Sequence, residues 1–221
     1  MDVQLDDAIG RSIYIYGCWD YALTRLLDTL LEPEMCFFDV GANIGYFSLF
    51  AARRCRQVFA FDPAPPLYRQ LQSNVALNPD LNIRVFDLAV SDQCGSVEFY
   101  VAAGAGNSGL SSLHPRDNSV RISAQAATLD AFMAEHQIPH VHVMKVDVEG
   151  AEDVVFRGGA TLLASGAPDI VFESLPSSRA GEILMEFGYQ IYEFRDQRPY
   201  QAPNRFATKK RLSRSVAAHL R

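Results

Sequence analysis

The stretch Phe37-Phe38-Asp39-Val40-Gly41-Ala42-Asn43-Ile44-Gly45-Tyr46-Phe47-Ser48 decides the fold. An apolar strand here runs into a glycine-containing turn and then into an amphipathic stretch. Glycine lacks a Cβ, so such a turn brings backbone N–H groups close to a ligand, with Gly41 and Gly45 as the candidates. The next apolar strand, Val58-Phe59-Ala60-Phe61, ends at Asp62, 21 residues after Gly41. That spacing is the one at which a carboxylate meets two adjacent ribose hydroxyls. Either feature alone reads better as a tight strand-to-helix turn or a helix cap than as a binding site. In this order they point to a nucleoside ligand.

Working outward, apolar runs alternate with longer amphipathic stretches, the pattern of βα units feeding a parallel sheet. The spacing predicts strands over Met35–Val40, Gln57–Phe61, Ile83–Val90, Ser96–Ala102, His142–Val146, Asp169–Glu173 and Tyr189–Phe194. Helices are predicted over Gly45–Arg54, Pro65–Leu77, Thr128–His136, Ala151–Ala164 with a break near Gly158-Gly159, and Ser178–Phe187. Asp92 and Gly95 suggest a hairpin between the third and fourth strands. Ala103 to Ser119, rich in glycine, serine and asparagine, reads as a loop near the site. Upstream, Ile13-Tyr14-Ile15-Tyr16 suggests a short strand and Trp19–Leu31 a helix. The expected organisation is an N-terminal cap at 1–34, a ligand-binding domain at 35–208 and a basic tail at 209–221.

With 221 residues, 48% of them hydrophobic and 21% charged, the chain is sized for one globular domain. No apolar run reaches the roughly 20 residues of a membrane span, and the start is acidic rather than signal-like, so a cytoplasmic protein without a membrane partner is expected. Cys18, Cys36, Cys55 and Cys94 lack the spacing of a zinc site or disulfide framework. Every acid precedes residue 204, which leaves the body with 14 bases against 26 acids, a net charge of −12. That field disfavours nucleic acid as a partner. The basic tail is expected to be a solvated helix.

The G-x-G-x-x-G pattern of dinucleotide binding, counted from Gly41, would need glycine where Asn43 and Tyr46 stand, which disfavours a nicotinamide-dependent oxidoreductase. The loop also lacks the lysine of a phosphate-binding P-loop. S-adenosylmethionine carries no phosphate and has a positive sulfonium centre, so an acid-flanked turn headed by Asp39 suits it better.

FDVGANIGYFS at 38–48, FAFDP at 59–63, LAVSD at 88–92, TLD at 128–130, KVDVEGAE at 145–152, IVFES at 170–174 and FGYQIY at 187–192 together resemble the FkbM family of class I methyltransferases. The resemblance implies a Rossmann-like α/β fold: a mostly parallel seven-stranded sheet flanked by helices, its last strand antiparallel. It implies S-adenosylmethionine across the carboxyl ends of the strands and O-methylation of a hydroxyl on a sugar, small metabolite or natural product. Carried over by residue, Asp39, Gly41, Asn43 and Gly45 would line the methionine part, Asp62 the ribose, and Asp87 to Ser91 the adenine, with Asp87 the candidate acid. Two positions depart from the family pattern. Asp87 stands two residues before Ala89 rather than directly before it, and Asp62 is shorter than the glutamate common at its position.

Methyl transfer to a hydroxyl needs alignment with the sulfonium and removal of a proton. Lys145, Asp147, Glu149 and Glu152 follow one strand and Glu173 ends the next. Alternation puts 145, 147 and 149 on one side, making Asp147 and Glu149 candidate catalytic groups. Their structural alternative is to bind backbone N–H groups of the following helix, and Glu152 is expected to be solvated. His114, in the glycine- and serine-rich loop, is a further candidate base, and Ser108, Ser111 and Ser112 are candidate acceptor contacts. Such carboxylates can bind magnesium, though their spacing does not call for it. A non-catalytic binding protein of the same fold is the remaining alternative.

Overall fold

The computed structural model describes residues 1–102, 111–115, 119–166, 168–173, 179–195 and 204–221. Seven strands form the main sheet: β1 (Cys36–Val40), β2 (Gln57–Phe61), β3 (Ile83–Phe86), β7 (Val143–Val146), β8 (Asp169–Glu173), β9 (Gln190–Glu193) and β10 (Asn204–Thr208). Their order is β3-β2-β1-β7-β8-β10-β9. All neighbours are parallel except β10, which runs antiparallel to both β8 and β9. The chain winds from β1 outward through β2 to β3, then returns to place β7 on the other flank of β1. Ligands of open α/β sheets bind at such a switch, outside the carboxyl ends of the strands.

Both faces of the central strands are buried, which explains their unbroken apolar composition. On one face Phe38, Phe61 and Phe86 pack against Phe132 of α5 (Leu129–Glu135), with ring centroids 4.7 Å apart for Phe61 and Phe132. On the other, Phe37, Val58 and Val171 meet Leu23, Leu26 and Leu27 of α2 (Tyr21–Leu30). Burying each such side chain contributes about 1.5–3 kcal/mol.

A second sheet, in the order β4-β6-β5, combines β4 (Ala89–Val90), β5 (Gly95–Ala102) and β6 (Ser119–Ala127). The sequence reading differs here. Ile83–Val90 splits at Asp87-Leu88 into β3 and β4, which serve different sheets, and β5 pairs with β6 instead of with its predecessor. Phe99 and Ala124 of this sheet pack with Ile44 and Leu67, and Ile9 and Ile13 pack against the same group. The second sheet thus forms a wall above β1 and β2.

Ile13-Tyr14-Ile15-Tyr16 is the second half of a helix, α1 (Ala8–Tyr16), and not a strand. Asp7 accepts from the N–H groups of Ile9 and Gly10 at its start, and Gly17 ends it at φ 72. Thr128 caps α5 as predicted from sequence, its hydroxyl accepting from Ala131 N–H at 3.1 Å. The helical stretch after β7 breaks at Gly158-Gly159 into α6 (Glu152–Arg157) and α7 (Ala160–Ser165). The start of the helix predicted at Ser178 lies outside the described residues, and its described part is α8 (Ala180–Glu186). The basic tail is not a freely solvated helix. Its short α9 (Arg214–Ala217) sets Val216 and Leu220 into the core beside α2, and Leu220 bridges to Phe194.

Candidate active site

A cleft with about 1230 Å³ of free space, counted out to its open mouth, lies at the carboxyl ends of the strands. Its walls come from the turn after β1, the ends of β2, β7 and β8, the second sheet and the N-terminal segment.

The turn after β1 takes a shape set by its neighbours. Gly41 has φ 78, and a Cβ there would stand 1.8 Å from the carbonyl oxygen of Asp147. Only glycine permits β1 and β7 to close at that point. Gly41 and Ala42 donate their N–H groups to the Phe61 carbonyl, at 3.0 and 2.9 Å. Asn43, at φ 52, points its N–H to Asp62 Oδ2 at 2.8 Å. Gly41, Asn43 and Asp62 all line the cleft.

Asp62 is buried, and its other oxygen accepts from Ala64 N–H at 3.0 Å. Burial outweighs these bonds and the Lys145 charge, pushing its carboxyl up to about 7. Among the described residues each carboxylate oxygen accepts a single hydrogen bond and retains lone-pair capacity, and Asp62 lines the cleft. Adjacent ligand hydroxyls would complete the site and favour the ionised form.

Other residues singled out from sequence stand away from the wall. Asp39 is fully buried behind it, where Ser48 donates to its Oδ2 at 2.6 Å and the Lys145 ammonium meets its Oδ1 at 3.3 Å. Gly45, at φ 91, starts α3 (Tyr46–Ala52) against Leu71 and shapes the turn from beneath. Asp87 is exposed and outside the lining, whereas its neighbours Leu88, Ala89 and Val90 line the cleft and offer an apolar slot for a planar ring. His114 is exposed and also outside the lining. Ser111 lines the cleft, Ser112 is buried and donates to the Glu149 carbonyl at 3.0 Å, and Ser108 lies outside the described residues.

The far end of the cleft gathers Lys145, Asp147, Glu149 and Glu173. Lys145 is almost fully buried, donates to the Gly41 carbonyl at 3.0 Å and pairs with Asp147 at 3.4 Å as well as with Asp39. Burial alone would lower its proton affinity, but the Asp147 and Asp39 charges outweigh this and raise it. Oxygens of Asp147, Glu149 and Glu173 lie within 4.8 Å of one another. Asp147 already has a cation in Lys145, and magnesium is not indicated. Glu173 Oε2 is buried without a hydrogen-bond partner among the described residues. Burial, then the neighbouring Asp147 and Glu149 charges, push Glu173 up to about 8.

Glu152 is fully buried rather than solvated, and its Oε1 accepts from Val148 N–H at 3.2 Å and Gly150 N–H at 3.1 Å. It therefore performs the backbone-binding role that the sequence left open for Asp147 and Glu149. By tying down the residues on either side, it holds Glu149 at the unusual φ of 57.

Trp19, Asp20 and Asn204 complete this end of the cleft and were missed from sequence. Asp20 precedes an apolar helical stretch, a legible capping signal, and does accept from Leu23 N–H at 2.9 Å. Asn204 carries no comparable local signal; it arrives on β10 and donates to Asp20 at 2.9 Å.

The model of the methyltransferase FkbM domain matches residues 39–200, a span that begins within β1 and ends before β10. This chain belongs to the FkbM methyltransferase family. Among its relatives, methyltransferase sdnD of Sordaria araneosa is 29% identical over 181 residues, covering 68% of this chain and 67% of the relative. The 2-O-methyltransferase NoeI of Sinorhizobium fredii is 26% identical, covering 63% of each chain. The hexuronic acid methyltransferase AglP of Haloferax volcanii is 28% identical, covering 74% of this chain and 65% of its own. The chain thus spans about two thirds of the length of these relatives. The crystal structure of methyltransferase FkbM from Methylobacillus flagellatus has the same fold, with TM-score 0.59 and 15% identity over 79% of this chain and 43% of that one. No described helix is long and apolar enough to cross a membrane.

Proposed function

We propose that this member of the FkbM family transfers the methyl group of S-adenosylmethionine to a hydroxyl oxygen of a polyhydroxylated small molecule, a sugar or a natural product. Asp62 would receive the ribose hydroxyls, the Leu88–Val90 edge the adenine, and the turn at Gly41 to Asn43 the amino-acid portion. The buried carboxylate of Asp62, with open lone pairs at the cleft wall, is the acceptor that fits the hydroxyls of this ligand. When bound, adenosylmethionine supplies an electrophilic methyl carbon.

The observation that carries the reading is the Oε2 of Glu173, buried without a hydrogen-bond partner among the described residues, in a residue lining the cleft at the end of β8. Glu173 would accept the proton of the acceptor hydroxyl as that oxygen takes the methyl group that adenosylmethionine would supply. The products are a methyl ether, S-adenosylhomocysteine and a protonated Glu173. Asp147, held by Lys145, and Glu149, held through Glu152, position the acceptor. A general base of this kind contributes about 10²–10⁴ in rate. The acidic cleft favours a small-molecule acceptor over nucleic acid. All four cysteines are free, in keeping with a reducing compartment such as the cytoplasm.

Calorimetric titration with adenosylmethionine and with NAD, on wild type and Asp62→Ala, tests the cofactor. Binding of adenosylmethionine alone, weakened by the substitution, supports the assignment, and binding of NAD alone refutes it. Release of S-adenosylhomocysteine with a panel of polyols then tests turnover. Cofactor binding without turnover on any of them would leave a binding protein.

A further inference from the structure

The cleft has two chemically different ends. The end built from β2 and β4 is apolar around the single carboxylate of Asp62. The opposite end, built from the N-terminal segment, β7, β8 and β10, holds Asp20, Asp147, Glu149 and Glu173. Lys145 is the one basic side chain among the described lining residues, and it is already engaged by Asp39, Asp147 and the Gly41 carbonyl. Among the described residues acids therefore outnumber bases at this end, and burial, then the charges of Asp147, Glu149 and Glu152 together, raise the Glu173 carboxyl against the charge of Lys145.

Its remaining wall is Trp19 and the Asp20–Asn204 pair. Asp20 Oδ1 caps α2 while its Oδ2 accepts from Asn204, so one carboxylate joins the N-terminal segment to β10 beside the cleft. Burial pushes the Asp20 carboxyl up, and the Asp147 charge adds to that shift, which places both acids in one field. An indole offers apolar surface to the C–H face of a sugar ring and attracts a cation, while carboxylates and amides read hydroxyl and ammonium donors.

We propose that this end of the cleft is an acceptor subsite that selects by charge: it takes a hydroxylated acceptor bearing a protonated amine, in preference to a neutral one, and turns away acceptors bearing a carboxylate. The proposal rests on the reading that the opposite end holds adenosylmethionine. A carboxylated acceptor would bring its negative charge into the field of these acids and find no free cation among the described lining residues. An ammonium group would be stabilised by the same acids, and its neighbouring hydroxyl would lie within reach of Glu173.

Trp19 is the only tryptophan of the chain, so its fluorescence reports on this end alone. Methyl glucosaminide, methyl glucoside and methyl glucuronide, three rings differing chiefly in charge, would be titrated into the full chain saturated with S-adenosylhomocysteine. The glucosaminide is expected to bind about tenfold more tightly than the glucoside, and the glucuronide about tenfold more weakly. Glu149→Gln should narrow that spread. Equal affinities, tightest binding of the glucuronide, or no Trp19 response to any of the three would each overturn the proposal. Calorimetry of S-adenosylhomocysteine is read separately. If it fails to bind, the cofactor reading falls, and the sugar series is repeated without it and judged by the same ranking.

Discussion

Asp39 and Lys145 stand opposite each other in register on the neighbouring strands β1 and β7, and their charged groups meet at 3.3 Å with the lysine side chain only 4% exposed. The pair lies behind the cleft wall, so its effect on binding passes through the Gly41 carbonyl and Asp147, both of which Lys145 also contacts.

Removing one partner of such a pair strands a buried charge. Lys145→Met should cost about 3–5 kcal/mol in urea denaturation, and adding Asp39→Asn should recover most of that loss. A single variant as stable as wild type would show that the pair does not act as a unit.

Gly41→Ala tests the close approach of β1 and β7. The new methyl group must displace the Asp147 carbonyl at 1.8 Å and adopt a φ of 78. The expected cost is about 3 kcal/mol or more in stability, with loss of adenosylmethionine binding measured by calorimetry.

Asp62 and Glu173 make the unliganded protein sensitive to alkali. Burial raises the folded carboxyl of Asp62 from 3.8 to about 7, and burial with neighbouring charges raises Glu173 from 4.5 to about 8. The folded state therefore holds more protons than the unfolded one between those limits. The contribution to stability is fully present below about pH 4 and lost as pH rises through about 7 for Asp62 and about 8 for Glu173. Other effects being equal, the melting temperature should be higher at pH 5.5 than at pH 8.5. Asp62→Asn should flatten this slope, and adenosylmethionine should restore stability at the alkaline end. A profile unchanged by Asp62→Asn would remove this residue as its cause.

Glu173→Gln should lower kcat by about 10²–10⁴ while leaving adenosylmethionine affinity near that of wild type. In the wild type kcat should climb with pH and level off near 8, because the base acts in its ionised form. The variant should lose that limb. Retention of the limb would move the proton acceptor to another group.

Local chemistry explains what the sequence made legible. The turn from Gly41 to Gly45, the end of β2 at Asp62 and the Thr128 cap are short-range features, and the structure forms each where the residues predict it. Non-local pairing explains the misses. β6 has a weak apolar pattern of its own, with Val120 exposed, and is fixed by its register with β5. Ile13 to Tyr16 mimic a strand because they alternate β-branched with aromatic side chains, while the cap at Asp7 and the stop at Gly17 decide for helix. In the tail, charge masked the buried pair Val216 and Leu220. Glu152 was misread because a carboxylate is rarely buried, and only the two N–H groups it satisfies make that burial tolerable.

The insertion of β10 between β8 and β9 brings a late segment of the chain to the cleft. Every strand that touches Asp62 and the Gly41 turn can pair before residue 204 is reached, yet Asp20 finds Asn204 only across a separation of 184 residues. The end of the cleft proposed for the cofactor is thus independent of β10, whereas the end proposed for the acceptor needs it for a wall. A change in how this antiparallel strand seats would therefore alter the proposed acceptor end first and leave Asp62 and the Gly41 turn in place.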